Sequence, residues 1–201
     1  VLTDLLQPRT PEEIGVHNKL CEEVERAVRL LTEIRTFGQA SVRERVCCNL
    51  ARLVEETLWM LDARFIEKQI HVVKQLNPDL PPVLVDRDRV IQAILNVVTN
   101  AFEATPSGGT VSAVMDRMEG ATLVKISNTG SFVPPEERQK IFTLFYTTKR
   151  SGSGFGLPLA RRALLDHGGD IAVTSSPERG TEFVLRFPDH HPPISEAPPN
   201  L

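Results

Sequence analysis

Two stretches of this 201-residue chain carry side chains whose types and spacing could do chemistry. The first runs from Asp88 to Thr105. At about 100° per residue, a helix there puts Ile91, Leu95, Val98 and Phe102 on one face and Asn96, Asn100 and Glu103 on roughly the opposite one. Two amides and a carboxylate, spaced by four and three residues, offer oxygen ligands to a hard cation such as Mg²⁺ while the apolar side stays packed. A solvated polar face explains the same spacing, so the helix alone does not define a site. The second stretch, SGSGFGLPLARR at 151–162, is a glycine-rich loop entering a helix, where backbone N–H groups and the helix dipole can hold phosphate. Just before it, Thr147, Thr148 and Lys149 place two hydroxyls and a cation where they suit a triphosphate. A solvated lysine is the alternative there. Between the two stretches, KISNTGSFVPPE at 125–136 ends a strand in a polar glycine turn.

Taken in this order, the asparagine helix and the glycine loop resemble the asparagine box and second glycine box of the sensor histidine kinase ATP-binding domain, of the GHKL (Bergerat-fold) superfamily. The resemblance covers about residues 45–187 and, more loosely, 14–40. It implies ATP and Mg²⁺ as cofactors, with Asn100 the main metal ligand, Asn96 assisting it and Glu103 near the phosphates. SNTGSF would be the first glycine box. Asn128 stands where an Asp ordinarily accepts a hydrogen bond from the adenine amino group, Gly130 keeps the first glycine, and Phe132 replaces the second. The Asn128 carbonyl can still accept from adenine, but its NH₂ could instead donate to a guanine oxygen. KIFTLFYTTK at 140–149 resembles the phenylalanine box, in which Phe142 and Phe145 would anchor the loop over ATP. Gly152, Gly154 and Gly156 match the alternating glycines, so Gly152, Ser153, Gly154, Phe155, Gly156 and Leu157 are the expected cofactor contacts, with Thr147, Thr148 and Lys149. Phe155 replaces a smaller aliphatic residue, which should alter loop packing more than chemistry. Gly180 and Thr181 fit the last box, whose Thr hydroxyl lies near the nucleotide.

The same resemblance bears on the reaction. In related ATPases of the superfamily a Glu one helical turn before the metal-binding Asn activates water; here that place holds Asn96. An amide cannot act as a general base, so hydrolysis is disfavoured and phosphoryl transfer to a protein acceptor is favoured. The expectation is an ATP-dependent protein histidine kinase that works by positioning and charge neutralisation. Its nucleophile would be a histidine on dimerisation helices, neutral at cytosolic pH. Its partners would be a second copy in a full-length homodimer and the receiver domain of a response regulator. The acceptor box, a His followed by an acidic residue and soon a Pro, has no match. His17 lies in GVHNKLC, His71 in a strand, His167 at a helix end beside two glycines, and His190 and His191 in the tail. The fragment is therefore expected to lack most of the first hairpin helix and to bind ATP without phosphorylating itself. A degenerate nucleotide-binding regulatory module stays open. So does an anti-sigma-factor type serine kinase of the same fold, although that needs no helical hairpin.

The elements that must position these residues are legible in outline. Leu20, Val24, Ala27, Leu31 and Ile34 follow a 4-3-4-3 spacing, widened by Leu30 and Phe37, as in a helical hairpin or bundle seam. An amphipathic helix packed on its own domain would look alike. Gly38 and Ser41 mark a linker. Asn49 can cap a helix carrying Leu50, Leu53, Val54, Leu58 and Leu61, with Trp59 beside them. Strands are predicted at Ile70–Leu76, Val83–Val85, Thr110–Met115, Thr122–Ser127, Ile171–Thr174 and Thr181–Phe187. Short and long helices should begin at Pro134–Pro135 and near Gly156, where Pro158 sits harmlessly in the first turn. Locally paired strands without βαβ regularity give an α+β fold, a two-layer sandwich of a mixed sheet and three helices preceded by a helical hairpin remnant. The expected division is hairpin 1–40, catalytic domain 41–188 and a disordered proline-rich tail 189–201.

Composition narrows the classes. A net charge of −3 provides no basic stripe, so nucleic acid is not an expected partner. No apolar run reaches the ~20 residues of a membrane span, so this fragment is expected to make no membrane contact. Cys21, Cys47 and Cys48, odd in number and without metal-ligand spacing, suit a reducing cytosol and read as core fillers. A cytoplasmic location follows as the expectation. The absence of an initial Met points to a piece of a longer chain, which leaves membrane tethering of the full protein open.

Overall fold

The computed structural model describes residues 10, 13–21, 23, 24, 28, 31, 44–149 and 152–189. It divides into two compact units, Val1–Val42 and Arg43–Leu201.

In the first unit the described residues from 13 onward are helical. The helix starts on a reciprocal cap. Thr10 Oγ1 accepts from Glu13 N–H at 3.2 Å and Glu13 Oε2 accepts from Thr10 N–H at 3.1 Å, satisfying two amides that no helical carbonyl reaches. Within this unit Ile14, Val16, Leu20, Val24, Val28 and Leu31 are all exposed. Of the expected seam, Ala27, Leu30, Ile34 and Phe37 lie outside the described residues, as do the expected first hairpin helix and the proline-rich tail from 190 onward.

The second unit is built on a five-stranded mixed sheet in the order β2-β4-β5-β7-β6, with β2 His71–Gln75, β4 Thr110–Met118, β5 Ala121–Asn128, β6 Asp170–Ser176 and β7 Gly180–Pro188. β2 runs parallel to β4 and the other neighbours are antiparallel. A separate antiparallel pair joins β1, Val46–Cys48, to β3, Val83–Val85. The predicted strand at Val83–Val85 is therefore present, but it does not enter the main sheet. The hairpin strands run farther than predicted because Glu119, at φ 51°, and Gly120, at φ 69°, make the turn alone. Period-2 alternation sends Val111, Ala113, Met115, Val124, Ile126, Phe183, Leu185 and Phe187 into one core with the helices. Intervening residues such as Ser112, Lys125 and Ser127 stay half-exposed, so the domain has two layers.

Among the described residues of this unit the α-helices are α1 Leu50–Met60, α2 Asp62–Glu67, α3 Arg87–Ala104 and α4 Gly156–Asp166, the six-residue α2 being an addition to the three expected, and the short helix expected at Pro134–Pro135 is a 3-10 turn over Pro135–Glu137. Asn49 caps α1 as its sequence implied, its side chain accepting from Arg52 N–H at 3.3 Å. Trp59 is not part of the packed face but 75% exposed. In α3 the buried stripe is Val90, Ala93, Ile94, Val97, Val98 and Ala101, with Phe102 at its edge, while Ile91 and Leu95 pack at the flank. The core face is thus turned roughly 90° from the predicted one. The reason is that α3 packs against both α1 and α4, as well as β5. Of the cysteines only Cys48 is buried, and burial pushes its thiol pKa up; Cys21 and Cys47 are exposed, contrary to the expectation of core fillers.

One buried polar contact sets how α3 begins. His167, just past the end of α4, accepts from Asp86 N–H through Nε2 at 2.9 Å and donates from Nδ1 to Ala163 O at 2.6 Å. Asp86 in turn is the N-cap of α3, accepting from Arg89 N–H at 3.2 Å. Burial holds the His167 imidazole below its ordinary pKa, so it stays neutral and Nε2 can accept the Asp86 N–H. Arg89 to Asp166, 2.7 Å, ties the same ends together at the surface.

Candidate functional site

The polar face of α3 and the loop before α4 meet directly. Lys149 Nζ donates to Asn100 Oδ1 at 2.8 Å and to Glu103 Oε2 at 2.6 Å. One turn earlier, Asn96 Nδ2 donates to the carbonyl of Gly156 at 3.0 Å, and its Oδ1 accepts from Gln92 Nε2 at 3.1 Å. Asn96 therefore links the asparagine helix to the first residue of α4, while Asn100 and Glu103 face the cation. Thr147 Oγ1 accepts from Lys149 N–H at 3.1 Å, which shapes the backbone carrying that cation. Thr148 is exposed.

The glycine loop is closed at its base. Phe145 N–H donates to Gly154 O at 3.1 Å, and the Phe145 ring meets the buried Phe155 ring edge-on at 4.9 Å. Gly154 has φ +72°, and a Cβ there would come within 2.8 Å of the Phe145–Tyr146 backbone. No other residue fits that approach. Phe145 itself holds φ 67°, a conformation rare for an aromatic residue and kept here by the contacts at both its ends. Of the two residues expected to anchor the loop, Phe142 lies edge-on to Phe183 at 6.5 Å, and Phe145 is 69% exposed and touches Phe155. Ser153 Oγ accepts from Phe155 N–H at 3.3 Å, Leu157 packs against the core, and Gly152 abuts Thr147.

The third part of the site is the end of β5. Asn128 is 2% exposed and pairs with Thr181 across the β5–β7 register. Its Nδ2 donates to Thr129 O at 3.1 Å, and its Oδ1 is buried without any partner. Gly180, at φ +76°, crosses directly over the Asn128 carbonyl, where any side chain would collide. Thr181 Oγ1 donates to Ser131 O at 3.1 Å and lies 2.8 Å from Ser175 Oγ. Ser175 Oγ also accepts from Val133 N–H at 2.9 Å, and Arg138 donates to Ser175 O at 2.7 Å. Gly130 and Ser131 then dock the turn on the C-terminus of α3: Gly130 packs on Pro106, and Ser131 Oγ donates to Ala104 O at 2.9 Å.

The structure so brings Asn100, Glu103 and Lys149 into contact, joins Asn96 to Gly156, and seats Asn128 and Thr181 side by side. Gln92, Ser131, Arg138 and Ser175 support these groups and were not singled out from the sequence. Ser131 adjoins Gly130 and Gln92 precedes Asn96 by one turn, so both were within reach of the pattern; Arg138 and Ser175 carry no local signal. Chemically the arrangement offers an amide and a carboxylate oxygen already facing a cation, a glycine loop at a helix N-terminus, and a buried acceptor without a donor.

Residues 85–191 match the family model described as "Histidine kinase-, DNA gyrase B-, and HSP90-like ATPase". The sensory histidine kinase/phosphatase NtrB of Azospirillum brasilense is 32% identical over 200 residues, covering 92% of this chain and 50% of NtrB. The chain thus spans about half the length of that curated relative. Among solved structures, the catalytic domain of histidine kinase ThkA superposes with a TM-score of 0.67 at 33% identity, covering 73% of this chain and 97% of that one. ThkA in complex with the response regulator protein TrrA gives a TM-score of 0.77 at 28% identity, covering 90% of this chain and 53% of that one. Full-length ShkA in complex with AMPPNP also gives 0.77, at 26% identity, covering 96% of this chain and 42% of that one. With more than half its length inside the family model and 73% of it matched to the catalytic domain of ThkA, the chain belongs to the histidine kinase-, DNA gyrase B- and HSP90-like ATPase family, on its sensor histidine kinase branch.

Proposed function

We propose that this chain binds ATP together with Mg²⁺ and forms the catalytic part of a two-component sensor histidine kinase. The observation that carries the reading is the contact of Lys149 with Asn100 and Glu103 beside the glycine loop: those two oxygens already accept a cation, which is what a metal-bound triphosphate would require of them. The orphaned Asn128 Oδ1 supports it from the base side, since a buried acceptor without a donor fits an exocyclic purine amine.

Bound Mg²⁺·ATP would supply an activated phosphoryl group. The residues of the chain supply position. Asn100 would be the principal metal ligand and Glu103 would lie near the phosphates. Asn96 is proposed to assist at the metal, and its donation to Gly156 O fixes the glycine loop against α3. Thr147, Thr148, Lys149 and the backbone from Gly152 to Leu157 would hold the phosphates by cation, hydroxyl and N–H donation. Asn128 and Thr181 would hold the base side, with Gly130 admitting close approach. The site offers no carboxylate at position 96 to deprotonate water, which favours transfer to a protein acceptor over hydrolysis.

In the intact protein the acceptor would be a histidine on dimerisation helices, and the phosphate would pass to the receiver domain of a response regulator; ThkA is seen with its regulator TrrA. Segment 1–40 would belong to the dimerisation hairpin, 41–188 to the catalytic domain and 189–201 to a tail. The exposed apolar residues of the first unit, Leu20, Val24 and Leu31 among them, suit burial against a second copy. No helix among the described residues is long and apolar enough to cross a membrane, and a cytoplasmic catalytic part is the proposal. Calorimetry tests the binding: micromolar to millimolar ATP binding in the presence of Mg²⁺, lost in Asn100→Ala, is expected, and no heat at millimolar nucleotide sinks the reading. Incubation with γ-labelled ATP should leave no label on His17.

A further inference from the structure

We infer that the Lys149 ammonium is a resident counter-cation for the divalent-ion position on α3, and that metal entry displaces it from Asn100 and Glu103. This rests on the proposed reading of Asn100 as the metal ligand with Glu103 beside it near the phosphates. Nζ sits 2.8 Å from Asn100 Oδ1 and 2.6 Å from Glu103 Oε2, so it uses the oxygens a hard cation would need. An ammonium and Mg²⁺ cannot share them: two cations roughly 3–4 Å apart on the same lone pairs repel strongly wherever water does not fully screen them. The exchange needs little rearrangement of backbone. Lys149 N–H is held by Thr147 Oγ1 at 3.1 Å and Lys149 O accepts from Gly152 N–H at 3.2 Å, so the four-carbon stem can swing while its Cα stays in place.

The arrangement balances charge in both states. Without nucleotide the ammonium pairs with the exposed Glu103 carboxylate. With metal on Asn100, beside Glu103, the displaced ammonium is released toward the triphosphate and exchanges carboxylate and amide acceptors for phosphate oxygens. Metal without nucleotide therefore competes with Lys149 for its ligands, and metal with nucleotide does not.

Mn²⁺ binding to the full chain, followed by electron paramagnetic resonance without nucleotide, tests this. Lys149→Met should bind Mn²⁺ about tenfold more tightly than the parent chain, the size expected of a coupled exchange. Made in an Asn100→Ala background, the same Lys149→Met change should bring no gain over Asn100→Ala alone. No gain, or a gain that survives Asn100→Ala, overturns the exchange, because simple loss of a nearby positive charge would not depend on Asn100. Lys149→Gln repeats the comparison should the Met variant fail to fold. A parallel titration of the parent chain with Mn²⁺ and AMPPNP separates the two levels: absence of binding there overturns the ATP reading itself.

Discussion

The side-chain amide of Asn96 donates to the main-chain carbonyl of Gly156 at 3.0 Å, joining the middle of α3 to the first residue of α4 across 60 positions of sequence. This bond couples α3 to the glycine loop at the start of α4. Asn96→Ala should leave the Gly156 carbonyl without its donor and let the loop drift. A loss of about 0.5–1.5 kcal/mol in unfolding free energy is expected, together with a larger proportional loss in nucleotide affinity. Urea unfolding and calorimetry on the same preparation check both, and unchanged affinity would show that the bond is incidental.

The proposed base-side role of Asn128 makes a prediction about nucleotide choice. Its NH₂ is committed to Thr129 O, which leaves Oδ1 as the free group at the buried end of β5. An acceptor in that place suits the amino group of adenine and opposes the carbonyl of guanine. ATP should bind at least roughly tenfold more tightly than GTP, about the cost of one unpaired buried polar group. Competition between the two nucleotides measures the ratio, and equal affinities would mean that the amide turns over on binding.

Gly154 can be tested without touching any side chain of the site. A methyl group there meets the Phe145 backbone and is strained at φ +72°. Gly154→Ala should displace the loop, weakening nucleotide binding by about an order of magnitude while the melting temperature changes little, since strain of about 1–3 kcal/mol is absorbed locally. A variant that binds nucleotide normally would show that the loop reforms around the added carbon.

The buried His167 makes stability pH-dependent. Its pKa is lowered in the folded chain, chiefly by burial, so the unfolded chain takes up the proton first as pH falls. The contribution is complete above the ordinary value of 6.5 and is lost as the pH falls from there through the lower folded-state value. Melting temperature should decline from pH 7 to pH 5 in the parent chain, with a shallower decline in His167→Gln. That variant should also be less stable at pH 7 by about 1–3 kcal/mol, since the Asp86 N–H loses its acceptor. Parallel slopes for the two proteins would assign the acid sensitivity elsewhere.

What the sequence by itself determined was whatever is written locally: the Asn49 cap, the strand at Val83–Val85, the helix from Gly156 past Pro158, and the order of asparagines, polar turn and glycine loop that marks the family. Caps, β-branched runs and glycine spacing act over a few residues, so their effects can be read without the rest of the chain. Tertiary structure alone decided which side of α3 is buried, because α1 and α4 compete for that helix and only their packing settles its rotation. It also decided that Phe145 is exposed while Phe155 is buried, and that the amide of Asn128 is turned with its oxygen inward. Above all it decided that Lys149 reaches Asn100 and Glu103. That contact spans 49 and 46 positions, and no propensity or periodicity encodes a distance between side chains so far apart in sequence until the sheet, the helices and the glycine loop have fixed where each backbone lies.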